Sequence, residues 1–167
     1  MPLIDGKFEI ISERELSPGQ TLIAATAPDG SAVRIVWFDL PPDEEAAFEG
    51  YRKLLKRLKR TGQAALYDLV SRPGAHYVVW HSPAEAKPAR PDDDLAGALR
   101  DAGYPLDSAD VRRQNGKPQL FGLAFAGTPL PVASQGAVEA VPASQRRPEA
   151  PVRLISLSAT AVMLIVS

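Results

Sequence analysis

The spacing of apolar residues changes at Pro41-Pro42. Before that point they fall in short runs: Phe8, Ile10 and Ile11 within residues 7–15, Leu22 to Ala25 within 20–27, and Ala-Val-Arg-Ile-Val-Trp-Phe over 32–38. Ser17-Pro18-Gly19 and Pro28-Asp29-Gly30 separate these runs. In such turns proline presets the backbone angle, aspartate bonds its own main chain and glycine accepts positive φ. The pattern predicts three β-strands. After the prolines, Ala47, Phe48, Tyr51, Leu54, Leu55 and Leu58 recur at helical spacing on one face, predicting a helix over 43–60. Asp43, Glu44 and Glu45 open it, Lys53, Lys56, Arg57, Lys59 and Arg60 crowd its end, and Gly62 stops it. That polarity complements the helix dipole, and the basic run reads as a solvated helix end. Two more strands, 65–71 and 75–81, flank Arg72-Pro73-Gly74. With sequential strands usually neighbours, the expectation is a five-stranded, mostly antiparallel meander with one packed helix.

Residues 82–91 carry three prolines and read as a connector. A short helix follows over 92–102, with Leu95, Ala98, Leu99 and Ala102 on one face, Asp92 or Asp93 as cap and Gly103 as stop. Residues 109–113 and 118–125 predict a hairpin across Asn115-Gly116, the strongest short hairpin signal in the chain. From 127 to 152 proline, alanine, serine, glutamine and valine dominate, the composition of a linker. The resulting division is a folded domain over 1–126, a linker over 127–152 and an apolar tail over 153–167. Residues 154–167 carry no charge. As a helix they would span ~21 Å, short of the ~30 Å hydrocarbon core. The tail reads either as a strand or helix returning to the core or as the start of a transmembrane helix. The second is favoured, because a Pro/Ala-rich spacer precedes it and Arg146, Arg147 and Arg153 all lie before the apolar run. Small residues Ser156, Ser158, Ala159, Thr160 and Ala161 suit helix–helix approach in a bilayer.

Composition narrows the chemistry. At 167 residues, 45% hydrophobic and 23% charged, the chain has the make-up of an ordinary globular domain with a remainder. A net charge of −1 gives no general attraction to nucleic acid, and the basic run lacks the interleaved aromatics of single-strand binders. The absence of cysteine excludes disulfides, thiolate metal sites and cysteine nucleophiles. His76 and His81 alone do not make a zinc site. Met-Pro-Leu-Ile-Asp-Gly-Lys lacks the basic-then-apolar pattern of a secretory signal. Trp37, Phe38, Phe48 and Tyr51, at strand and helix spacing, are expected in the core.

The order of these elements resembles the N-lobe of bacterial serine/threonine protein kinases. Phe8-Glu-Ile-Ile-Ser-Glu-Arg-Glu-Leu16 is similar to the family's first strand, and Ser17-Pro18-Gly19-Gln20-Thr21 stands where its glycine-rich loop would be. Ala32-Val33-Arg34-Ile35-Val36 resembles the third strand, with Arg34 in place of the lysine. Residues 48–58 resemble helix C, and Tyr77-Val-Val-Trp-His81 the strand leading to the hinge. Residues 95–103 resemble the helix before the catalytic loop, and 110–121 the hairpin ending in Asp-Phe-Gly, here Leu120-Phe121-Gly122. The resemblance covers residues 5–125. It implies an α+β fold: a kinase N-lobe-like five-stranded antiparallel sheet with one packed helix, plus a short helix and hairpin from a much reduced C-lobe.

The departures are chemical. Phosphoryl transfer needs a phosphate-cradling loop, a lysine held by a helix-C glutamate, a catalytic aspartate and metal-binding side chains. Here one loop glycine remains, Gly19. The lysine is Arg34, whose planar fork is not equivalent to an ammonium. The glutamate position is Tyr51, with Glu49 off register. No His-Arg-Asp lies between Gly103 and Val111, where Asp107 and Asp110 read as turn aspartates. Leu120 has no oxygen for magnesium, and no activation loop follows Phe125. Trp80, near the family's gatekeeper, is expected to fill the nucleotide cleft. The resemblance therefore implies a pseudokinase without catalytic residues, metal or resident cofactor. It would be a regulatory or protein-interaction module with a protein partner, held at the inner face of the cell membrane with its domain in the cytoplasm. The alternative is a nucleotide-binding sensor, in which Arg34 and Gly19 would meet ATP. An active atypical kinase and an α+β module unrelated to kinases are the remaining readings. Arg34 beside a carboxylate in an open cleft would favour the sensor; a cleft plugged by Trp80 would favour the interaction module.

Overall fold

The computed structural model describes residues 1–125; the linker over 127–152 and the tail over 153–167 lie outside the described residues. Within them the fold is mixed α+β, with a curled antiparallel sheet and two α-helices. The strands are β1 (Leu3–Ile4), β2 (Phe8–Ser17), β3 (Gln20–Thr26), β4 (Ala32–Phe38), β5 (Leu66–Arg72), β6 (Ala75–His81), β7 (Lys87–Pro88), β8 (Ala109–Gln114) and β9 (Lys117–Leu123). The helices are α1 (Glu45–Arg60) and α2 (Asp93–Asp101).

The main sheet has six strands in the order β1-β2-β3-β4-β6-β5, not the expected five in sequence. Two differences account for this. β1 is only two residues long, too short for alternation to reveal, and is folded back onto β2 through Asp5 and Gly6, both at positive φ. The meander also breaks after β4: the chain leaves through α1, and β6 rather than β5 lies against β4, so that β5 forms an edge. α1 itself starts at Glu45, after a 3₁₀ turn at Pro42–Glu44, slightly later than residue 43.

The antiparallel registers assign side chains to faces. Arg34, Val36 and Phe38 of β4 lie opposite Trp80, Val78 and His76 of β6 on one face. On this inner face lie the buried side of α1 (Phe48, Tyr51, Leu54, Leu55 and Leu58) together with Leu95 and Leu99 of α2. Val111, Leu120 and Leu123 of the hairpin complete the cluster. On the outer face Ile23, Ala25, Val33, Ile35, Tyr77 and Val79 pack with Ile4 and Phe8. The curl brings the N-terminal strands over the far edge. Phe8 meets Tyr67 edge-on, Lys7 pairs with Asp68, and Asp5 accepts from Arg72 at 2.5 Å and from the Tyr77 hydroxyl.

The C-terminal part follows its local signals. Asp92 caps α2, accepting from the Leu95 amide at 2.9 Å, and Gly103 follows its end at φ +84°. β8 and β9 join through Asn115 and Gly116, both at positive φ, as this two-residue turn requires. The connector contributes β7, which adds a third strand to the hairpin at Arg112 and Arg113. This smaller sheet is tied to the connector between α1 and β5 by backbone bonds: the Leu120 amide donates to the Gln63 carbonyl and the Ala65 amide to the Leu120 carbonyl, both at 2.8 Å.

Candidate functional site

The site is built around Arg34. The strict β4–β6 register sets it opposite Trp80 on the inner face. Its Nη2 donates to the Phe121 carbonyl at 2.7 Å and lies 3.5 Å from Asp110 Oδ2. Arg112 Nε donates to Asp110 Oδ1 at 2.8 Å, so one carboxylate is shared by two guanidiniums. The shift in register between Asp110 and Val111 reflects an irregularity of β8 beside this cluster. Arg34 Nε is buried without a hydrogen-bond partner among the described residues. Burial lowers the pKa of Arg34, opposed by the charge of Asp110 and reinforced by that of Arg112. The cluster remains about one-fifth open to solvent, with 22% of the Arg34 side chain and 21% of Asp110 exposed.

Asp110 and Arg112 are the residues that sequence reasoning undervalued. Asp110 is not a turn aspartate; it lies in β8, and its importance comes from Arg34, 76 positions away. Asp107 does lie in a short 3₁₀ turn, Leu106–Ser108. The other singled-out positions are held by backbone or core. Tyr51 is buried, its hydroxyl donating to the Leu123 carbonyl at 2.5 Å, and desolvation pushes its pKa well above the ordinary phenol value. Leu120 is fully buried in the inner cluster with Trp80, Leu95 and Leu99. Phe38 and Phe48 join that cluster, whereas Trp37 lies on the outer face, half-buried and stacked on Tyr77 with ring centroids 5.3 Å apart. Glu49 turns to Arg52 at 2.9 Å along α1.

Gly19 serves the β2–β3 turn and is not brought to Arg34: the β3–β4 register puts its neighbour Gln20 opposite Phe38, four pairs away from Ala24 and Arg34. Pro18 and Gly19 are the two residues between Ser17 and Gln20, which pair across β2 and β3. Gly19 has φ +80°, its carbonyl accepts from the Asp39 amide at 2.8 Å, and a Cβ there would sit 3.2 Å from the Asp39 carbonyl oxygen. Glycine is required both for the backbone angle and for the approach. An open depression of about 350 Å³ lies beside this turn, lined by Glu13, Glu15 and Asp39 with Arg14 as the lone cation.

Chemically, a carboxylate already accepting from two guanidiniums is poorly placed as a general base. Two arginines and one carboxylate leave one positive charge, which suits either fixing the hairpin to the sheet or meeting an anion. Among the described residues no group of three or more His, Cys, Asp or Glu side chains is placed to hold a metal ion. No described helix is long and apolar enough to cross a membrane. Neither protein-family models nor curated proteins give a match to this chain.

Proposed function

We propose that the chain is a kinase-like module without phosphoryl transfer, acting as a regulatory or protein-binding domain tethered at the inner face of a membrane. The observation that carries this reading is the fate of Leu120. At the position where the resemblance calls for a magnesium-binding aspartate, the side chain is fully buried among leucines and Trp80, and both backbone polar groups are tied to residues 63–65. The placement of α1 between the third and fourth long strands, packed on the sheet, supports the same resemblance. Arg34 supports the loss of chemistry, because its guanidinium is taken up by Asp110 and the Phe121 carbonyl. At the glycine turn a two-residue connection and three carboxylates oppose a polyphosphate chain.

A melting curve with and without ATP and magnesium tests the reading. No shift is expected, and radiolabelled ATP should leave no label on the protein or on general acceptors. Label that survives purification and is lost in Asp110→Ala would overturn it. The nucleotide sensor is the second reading: Arg34 does lie beside a carboxylate, but Asp110 and the Phe121 carbonyl hold its guanidinium rather than an open cleft. Arg34→Lys separates the two: an interaction module stays indifferent to ATP, whereas a sensor shows an ATP-dependent melting shift in the parent that the variant alters.

A further inference from the structure

The outward face of α1 has no role in the site above. Lys53, Lys56, Arg57 and Arg60 follow the spacing i, i+3, i+4, i+7 and form one stripe. All four are exposed, while Phe48, Tyr51, Leu54, Leu55 and Leu58 on the opposite side are buried. Among the described residues Lys56, Arg57 and Arg60 have no ion-pair partner, and Lys53 has a long one to Glu49 at 3.9 Å. The neighbouring Arg52 and Lys59 are engaged, by Glu49 and by the Tyr67 carbonyl. The chain as a whole is slightly acidic, at −1, so the stripe is a local concentration of charge and not an overflow of general basicity. The helix dipole accounts for Arg57 and Arg60 in the last turn, but its effect fades beyond that turn and leaves Lys53 and Lys56 unexplained.

From this geometry we infer that the α1 stripe docks on the headgroups of an anionic lipid bilayer. The inference rests on the membrane half of the reading above. Four exposed basic side chains on one helix face reach the cluster size that holds a protein to acidic lipid. They lie on a convex helix surface whose apolar side is already committed to the core, so the contact is electrostatic and does not insert. Nucleic acid is disfavoured because no aromatic side chain interrupts the stripe for stacking. Acidic lipid is favoured over an acidic protein because Arg146, Arg147 and Arg153 precede an uncharged apolar run, the charge order that sets a domain against the cytoplasmic leaflet.

The test is co-sedimentation of the full chain with phosphatidylcholine vesicles, with and without about 30% phosphatidylserine. Binding to pure phosphatidylcholine measures the tail alone. Phosphatidylserine should strengthen binding at least tenfold, at roughly fivefold per well-placed cation, and the gain should vanish between about 0.1 and 0.5 M salt. Replacing Lys53, Lys56, Arg57 and Arg60 by glutamine should remove most of that gain and leave the fold intact, with only a small fall in melting temperature from the lost dipole partners Arg57 and Arg60. A control replacing the exposed Lys87, Arg90, Arg113 and Lys117 by glutamine changes net charge equally and should keep it. If the chain ignores phosphatidylcholine yet shows the stripe-dependent gain, the docking surface stands and the tail anchor falls. An equal loss in both variants, no gain from phosphatidylserine, or tighter binding to polyglutamate or to RNA than to the acidic vesicles would overturn the inference.

Discussion

The two faces of the main sheet are sealed by different means. The inner face is covered by other elements: α1, α2 and the β8–β9 hairpin bury Phe38, Val78 and Trp80. The outer face is sealed by the curl of the sheet itself, with β1 and the start of β2 folded over β5 and latched by Asp5 and Lys7. Covering by separate elements leaves their junctions as places where polar groups meet, and the Arg34–Asp110–Arg112 cluster is such a junction. Covering by curl leaves only a latch at the rim. In this protein the seam between sheet and hairpin is where partly buried charges meet, and Arg34, Asp110 and Arg112 engage one another there.

The largest effect is expected from Leu120→Asp. If the inner face is core, the variant buries an unpaired carboxylate and should lose at least ~4 kcal/mol, enough to abolish the cooperative melt. A variant that folds and gains a magnesium-dependent melting shift would make the seam a cleft after all. Next in size, Ile35→Ala probes the outer face. Ile35 is fully buried, so a loss of ~2–4 kcal/mol in denaturant titration is expected. A cost below ~1 kcal/mol would mean that the curl does not exclude water. The smallest effect belongs to the latch. Asp5→Asn should cost ~1 kcal/mol at neutral pH. The Tyr77 hydroxyl first and Arg72 second hold the Asp5 carboxyl below its usual pKa. A lowered folded-state pKa adds stability above the unfolded value of ~3.9, lost as pH falls through the folded value. The gap between parent and variant should therefore close below about pH 4, and a gap that persists in acid would remove Asp5 from the latch.

Much of this architecture is written in local chemistry. The apolar stripe of α1, the Asp92 cap and the Asn115-Gly116 turn each act over a few residues, so each was legible. β1 and β7 were not, because two residues have no period. Strand order was not legible either, since alternation assigns a residue to a face but does not choose a neighbour, and α1 carries the chain past the expected position of β5. Arg34 stood out because it falls where the kinase resemblance calls for the third-strand lysine. Its carboxylate reads in the sequence as a turn aspartate, because nothing local to Asp110 points to a partner 76 residues away.

The backbone bonds joining Leu120 to Gln63 and Ala65 also bear on time. The β8–β9 hairpin can close on itself within microseconds, since its turn is two residues long. Its seating on residues 63–65 is a contact that spans more than fifty residues and carries the entropy of closing that loop. Folding should thus run as early local closure followed by slower docking, with the amides of Ala65 and Leu120 gaining protection from exchange together, after those of the hairpin turn.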